Sequence, residues 1–319
     1  MAMEGKEILI TGGAGFIGSN MVERLVDKNS ITVLDNFSAT DDRYIRRFSD
    51  RKNFRVVKGD ITMKDTYKDL GHYDLVIHLA ANSDVRFGSA DPIIDFRTND
   101  MGTVNLLDYM RTKDIPEIAF ASSSTVYGEA EVIPTPETYG PYRPISSYGA
   151  SKAAGESYIF AYSHYYSIRG SIFRFANVVG KNSTHGVIYD FIRKLQKNQA
   201  ELEILGDGSQ KKSYIHVTDC IDAMLFIHSL GLKTDVYNLG NTSVTSVLKI
   251  ADGVCKAMGL KGVKYRFNPS ADGRGWPGDV KVAQLSIEKI TGLGWKNRYE
   301  SDAAVELSIG EVLKAIWEK

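Results

Sequence analysis

The chain has 319 residues, and 39 Lys plus Arg against 39 Asp plus Glu leave no formal net charge, which removes the electrostatic footprint of a nucleic-acid binder. A composition of 43% hydrophobic and 24% charged residues excludes wholesale disorder, and no apolar run reaches the ~18 residues of a membrane helix. The opening residues carry no basic region followed by an apolar stretch, Cys220 and Cys255 are too few for a disulfide framework, and no Cys/His cluster has metal spacing, so the expectation is a soluble, cytoplasmic protein without a metal.

Strand-like runs fall at residues 7–11, 31–34, 54–58, 75–79, 117–121 and 171–175. Most are continuous Ile/Val/Leu/Phe stretches, the pattern of parallel strands covered on both faces. Segments 16–28, 93–113 and 147–165 between them are long enough for crossover helices. Right-handed βαβ units then predict an α/β fold, a Rossmann-like doubly wound parallel sheet. Beyond Gly180 the Gly and Pro density rises, yet residues 236–239 read as one more buried strand. The predicted organisation is a dinucleotide-binding domain over residues 1–180, to which the chain returns at about 213–240. A smaller C-terminal α/β lobe takes residues 181–319, mainly 181–212 and 241–319, and the cleft between the two is the predicted ligand site.

The first strand runs straight into Gly12-Gly13-Ala14-Gly15-Phe16-Ile17-Gly18. Glycines three apart suit a sharp turn that must approach a pyrophosphate, and the following helix aims its first N–H groups at that charge. Asp35 ends the second strand, twenty residues beyond Gly15, where a carboxylate takes the adenosine ribose hydroxyls and repels a 2′-phosphate. NAD is therefore predicted over NADP. Asp60 after the third strand and Leu79-Ala80-Ala81 after the fourth point at the same crevice, and each reads equally as packing or as a cofactor contact. His78 reads as a core histidine.

Further along, Ser122-Ser123-Ser124-Thr125 closes the fifth strand, and Tyr148 and Lys152 stand four apart at the start of a helical segment, on one face. Bringing a phenol from ~10 to neutral pH costs about 4 kcal/mol. One cation about 5 Å away at an effective dielectric of ~20 supplies roughly 3 kcal/mol. Lys152 together with a positively charged nicotinamide ring is expected to lower Tyr148 into the range of a working base.

Together, Gly12-x-x-Gly15-x-x-Gly18, Tyr148-x-x-x-Lys152 and the serine-rich strand end resemble the extended short-chain dehydrogenase/reductases. Within them the chain is similar to the NAD-dependent nucleotide-sugar epimerases, above all to the UDP-glucose (UDP-galactose) 4-epimerases. Further stations of the resemblance are Leu34-Asp35-Asn36, Gly59-Asp60-Ile61, His78-Leu79-Ala80-Ala81, Arg174-Phe175-Ala176-Asn177, Tyr214-Ile215-His216-Val217-Thr218-Asp219 and Gly278-Asp279. The resemblance implies that Tyr148 is the catalytic base and acid, that Lys152 lowers its pKa and holds the nicotinamide ribose, and that Ser123 hydrogen-bonds the sugar O4. It implies a cofactor set of Gly12, Gly15, Phe16, Ile17, Gly18, Asp35, Asn36, Ser38, Asp60, Ile61, Leu79, Ala80, Ala81, Asn99 and Ser122, with Tyr148 and Lys152. Substrate contacts fall to Ser123, Tyr148, Asn177, Val187, Lys212, Tyr214, Arg274, Asp279 and Ala283.

The implied partners are a UDP-sugar and a second copy of the chain, paired through a four-helix bundle of segments 93–113 and 147–165; the second segment carries Tyr158, Phe160, Tyr162 and Tyr165, too many aromatics for one buried stripe. Ala283 is the residue implied to border the sugar C2 substituent, and its small size leaves room for an N-acetyl group. This chain departs from many relatives in having Lys212 where they carry arginine, Arg274 two residues ahead of the usual arginine, and Ser83, with Arg86 nearby, where some carry lysine. A 4,6-dehydratase of the same fold needs an Asp-Glu pair where this chain has Ser124 and Thr125. The same motifs are compatible with epimerisation or decarboxylation of UDP-glucuronate, with Arg86 facing the carboxylate, and with a non-catalytic dinucleotide-binding protein.

Overall fold

The computed structural model describes residues 3–83, 88, 90–271, 273–276, 280 and 282–317. These pack as two compact units. The first comprises Met1–Gly128, Gly140–Arg174 and Ile221–Tyr237, the second Glu129–Tyr139, Phe175–Cys220 and Asn238–Lys319. The short Glu129–Tyr139 stretch, which the sequence assigns to the first domain, thus groups with the second, and the chain's return to the first spans 221–237.

The strands, in chain order, are β1 (Glu7–Thr11), β2 (Ser30–Asp35), β3 (Phe54–Lys58), β4 (Leu75–His78), β5 (Glu117–Ser123), β6 (Arg169–Phe175), β7 (Asn177–Val179), β8 (Glu201–Leu205), β9 (Lys211–Lys212), β10 (Tyr214–His216), β11 (Asp235–Leu239), β12 (Thr245–Ser246), β13 (Lys264–Asn268) and β14 (Val282–Ala283). Seven of them form one sheet in the order β11-β6-β5-β4-β1-β2-β3. The pairings from β3 through β2, β1 and β4 to β5 are parallel. β4 is buried throughout and β1 is buried from its second residue on, as strands covered on both faces must be. The strand order reverses at β1, which lies between β2 and β4, and that reversal opens a crevice at the carboxyl ends of the strands. Thr11 ends β1 in register with Leu34 on one side and His78 on the other. His78 is 1% exposed and bonded to Thr11 Oγ1 at 2.7 Å and Thr103 Oγ1 at 3.0 Å. Burial pushes it down to about 3, and it is the neutral core histidine that the sequence predicts.

Where the sequence predicts one continuous helix over 93–113, the structure has a short α-helix Pro92–Asp95, a π-turn Phe96–Met101 and an α-helix Gly102–Thr112. The wider π-turn interrupts the 3.6-residue repeat, and such turns gather at functional sites. The helix Ser147–Tyr166 begins on Ser146, whose hydroxyl accepts from Gly149 N at 3.1 Å. A Cβ on Gly149 would stand 2.5 Å from the Thr125 carbonyl, so glycine is what lets the helix start lie against the end of β5.

In the second unit β7 and β10 pair in parallel, as do β8 and β13, while β9 lies between β12 and β14. Helix Val187–Lys197 puts Ile188, Phe191, Ile192 and Leu195 on one face, against Val254 and Ile309 of the helices Val247–Ala257 and Ser301–Trp317.

Candidate active site

The glycine turn is built by steric necessity. Gly12 has φ +70°, and a Cβ on it would lie 2.7 Å from Ala80 N, so the turn and the end of β4 meet backbone to backbone. The following helix Phe16–Leu25 has no side-chain cap and no acidic residue in its first turn, which leaves its leading N–H groups to an anion. Asp35 ties this turn to β2: one carboxylate oxygen accepts from Ala14 N at 3.0 Å, the other from Phe37 N at 2.9 Å. Burial raises its pKa, and the two backbone hydrogen bonds oppose the rise. Asp60 accepts from Thr62 N at 2.9 Å and from Asn36 Nδ2 at 3.0 Å, so the ends of β2 and β3 are joined. Burial works against its ionisation, but these hydrogen bonds win and hold it below the usual carboxylate range. Asn36 and Ser38 are exposed, Phe16, Ile17, Gly15, Leu79, Ala80 and Ala81 partly so, and Gly18 is buried. Ile61 turns its side chain into the core, and its carbonyl accepts from Tyr67 OH at 2.9 Å, so any cofactor contact there is made by backbone. A flat crevice with a glycine cradle, a bare helix N-terminus and a ribose-height carboxylate fits a dinucleotide.

Tyr148 is half-buried, and its phenol is hydrogen-bonded to the Ser123 hydroxyl. Ser123 in turn accepts from Thr125 Oγ1 at 2.9 Å. Lys152 is 3% exposed; its ammonium donates to the Ala121 carbonyl at 2.8 Å and stands 5.8 Å from the Tyr148 ring centre. The expected lowering of Tyr148 by Lys152 is not what the chain alone produces. Burial pushes the phenol up to about 12; the Ser123 hydrogen bond pulls the other way and the charge of Asp95 adds to the rise. Burial likewise brings Lys152 down to about 8, against the fields of Asp95, Glu156 and Asp100. Desolvation is the largest influence on both groups.

Further residues complete this site, and to Glu156, Arg174 and Asp95 the sequence gives no role. Glu156, one helical step beyond Lys152, is 3% exposed and pairs with Arg174, itself 1% exposed, through Nε at 2.9 Å and Nη2 at 2.5 Å. Arg174 also donates to the hydroxyls of Tyr127 at 2.8 Å and Tyr142 at 2.7 Å. Ser122, a predicted cofactor contact, donates its hydroxyl to Glu156. Asp95 is fully buried, and Asn99 beside it donates to Ser151 Oγ at 2.9 Å and accepts from Asn82 N at 2.8 Å.

In the second unit, four of the predicted substrate residues come together. Register pairs Tyr214 with Asn177 and Ala283 with Lys212, and Ser213 accepts from Asn177 and donates to Ala283 across its backbone. Lys212 lies 5.4 Å from the Trp276 ring centre, and Arg274, two residues before Trp276, pairs with Glu129. The Tyr214 ring is only 6% exposed and packs in the second core. Val187 is the first residue of its helix, directly behind Gly186. Asp279, Gly278 and Arg86 lie outside the described residues. Among the described residues no metal-holding cluster occurs, and no helix is long and apolar enough to cross a membrane.

Residues 8–240 match the NAD dependent epimerase/dehydratase family. The chain is 37% identical over 295 residues to a putative UDP-glucose 4-epimerase of Methanocaldococcus jannaschii, covering 91% of this chain and 92% of that protein. A crystal structure of a UDP-galactose 4-epimerase superposes with a TM-score of 0.86 at 37% identity, over 97% of this chain and 99% of that one. A UDP-glucuronic acid decarboxylase of Danio rerio is 29% identical over 301 residues, 91% of this chain and 69% of that protein. The chain therefore belongs to the NAD-dependent epimerase/dehydratase family of extended short-chain dehydrogenase/reductases, and its cofactor is NAD.

Proposed function

We propose that this enzyme is a UDP-hexose 4-epimerase, interconverting UDP-glucose and UDP-galactose and accepting the N-acetylated pair as well. The observation that carries the reading is the Ser123–Tyr148 hydrogen bond backed by buried Lys152, with serine and threonine, not acids, at positions 124 and 125. Tyr148 takes the proton from the sugar O4 and later returns it. Ser123 holds the same oxygen at both stages. Bound NAD+ supplies the acceptor and later donor of the C4 hydride, and a second positive charge beside the phenol. Because Lys152 keeps its proton only up to about 8, the charge pattern that favours a phenolate exists below that pH.

The sugar must turn over between the two hydride steps, so the chain has to grip the diphosphate and leave the hexose loose. Asn177, Val187, Lys212, Tyr214, Arg274 and Asp279 are the proposed grip. Ala283 is half-buried in β14 beside Lys212, and its methyl leaves the C2 side of the sugar open. Phe96 is 58% exposed, Tyr158 43% and Tyr165 73%, an aromatic surface on two neighbouring helical segments that supports a homodimer through four helices. A dimer mass by light scattering at micromolar concentration is expected; a monomer mass removes this part of the reading.

The test is incubation of the purified protein, without added NAD, with UDP-glucose, UDP-N-acetylglucosamine or UDP-glucuronate, with products read by NMR. Galacto-configured products from the first two are expected. Conversion of UDP-glucuronate alone, to its epimer or to a pentose, would move the function to that of the decarboxylase-like relatives.

A further inference from the structure

Asp95 plays no part in the roles assigned above, yet it is fully buried at the junction of three elements. One carboxylate oxygen accepts from Asn82 Nδ2 at 2.8 Å, in the segment after β4, and from Asn99 Nδ2 at 3.4 Å, on the π-turn. The other accepts from Ser147 Oγ at 2.6 Å, the first residue of the helix that carries Tyr148 and Lys152. All three donors are neutral. They solvate the carboxylate without cancelling its charge, and a buried charge so held acts on whatever ionisable groups share the low-dielectric surroundings. Those groups among the described residues are Asp100 on the π-turn and Tyr148 and Lys152 on the helix, where Glu156 also lies. On β4, His78 is neutral and within the field of Lys152.

We propose that Asp95 is a positioning residue of the proposed reaction: through Ser147 it pins the first turn of the catalytic helix one residue before Tyr148, and its fixed negative charge is the counter-charge of the Lys152 ammonium. Of the three carboxylates that act on Lys152, Asp95 has the strongest hold, ahead of Glu156 and Asp100. Glu156 is already bound to Arg174, and Asp100 is itself pushed up to about 6, first by burial and then by Asp95. Among the described residues, Asp95 is thus the carboxylate whose charge is left for Lys152. The kinetic arm of this proposal rests on the 4-epimerase reading; its titration arm does not.

Two variants separate the pin from the charge. D95N keeps the shape and an acceptor for Ser147 but removes the charge, whereas S147A removes the pin and keeps the charge. The protein is labelled with 13C at lysine Cε, the Lys152 signal is assigned with K152M, and its titration is followed by NMR. D95N should lower the Lys152 midpoint by about one pH unit, the scale of losing a nearby opposite charge. The alkaline limb of turnover should move down with it. S147A should leave the midpoint in place and lower turnover roughly 10-fold at every pH, as misplacement of a catalytic group does. An unmoved Lys152 midpoint in D95N, or an equal movement in S147A, would overturn the proposal. If D95N does not fold, D95S carries the same expectation for the midpoint. Absence of turnover on every UDP-sugar would defeat the 4-epimerase reading, while the titration would still decide the role of Asp95.

Discussion

At the end of β1 the chain presents backbone: a glycine at φ +70°, uncapped N–H groups and a carboxylate already tied to the turn by Ala14. At the start of the Ser147–Tyr166 helix it presents ionisable side chains, Tyr148, Lys152 and Glu156, sunk among Asp95 and Arg174. Both regions belong to the same unit, but they are differently prepared. The turn is built by close backbone contact, and its glycine shape and uncapped N–H groups suit a pyrophosphate. The helix region holds a phenol pushed up to about 12 and an ammonium brought down to about 8, so its protonation states shift when another charge enters. Binding is thus a matter of steric fit at one end, and catalysis a matter of electrostatics at the other.

The comparison predicts that substitutions at the two ends fail in different observables. Tyr148→Phe should lose at least ~10²-fold in kcat, the scale of a general acid–base, while the melting temperature and NAD content stay as in the wild type. Near-full turnover would remove Tyr148 from the chemistry. Gly12→Ala should do the converse. Alanine at that φ costs about 1–2 kcal/mol, and its methyl meets Ala80 N at 2.7 Å. Overpacking adds roughly 1–3 kcal/mol, so NAD retention on a desalting column should weaken by at least ~10-fold, with turnover recovered at high NAD. A loss of kcat that no NAD concentration repairs would erase the distinction between the two ends.

Lys152→Met sharpens the electrostatic side through pH. In the folded chain Lys152 is protonated below about 8, so turnover in the wild type should fall on the alkaline side as that proton leaves. The variant should lose that limb, and its acid limb should move to higher pH, because the phenolate has lost a cationic neighbour. An unchanged pH–rate profile would count against the role of Lys152. The smallest effect is expected at Ala283→Tyr. Filling this half-buried position should reduce turnover of the N-acetylated sugar about 10-fold and spare the plain hexose, within the ~1–3 kcal/mol of an overpacked site. Equal loss on both sugars would place the C2 pocket elsewhere.

The glycine turn and Asp35 were legible because backbone constraints repeat at fixed spacing: a turn that must approach β4 needs glycine at position 12, and β2 must end near it. Tyr148 and Lys152 were legible as a four-residue step, and one further step along the same face reaches Glu156, a signal the sequence carries and the motif does not include. Asn99 is named by the resemblance, and Asp95 stands four residues before it, but the π-turn that begins at Phe96 breaks the helical repeat, so their common direction shows only in the folded chain. Ser122 shows another limit. The resemblance implies a cofactor contact there, and that its hydroxyl is bonded to the buried Glu156 shows only in the folded chain. The direction of the Tyr148 shift was also hidden, since counting charges along a helix omits the desolvation that burial imposes. In the second unit, strand register brings Lys212 and Ala283 together, a proximity that no local pattern between residues so far apart in the chain announces.

The central claim is that the hydrogen at C4 leaves as hydride and returns to the same carbon while Tyr148 handles only the O4 proton. UDP-[4-2H]glucose turned over in ordinary water tests it directly. The account predicts UDP-galactose that retains deuterium at C4, with a slowed rate wherever hydride transfer limits turnover. Product carrying solvent hydrogen at C4 would mean that the carbon exchanges its proton with water, and would contradict the account.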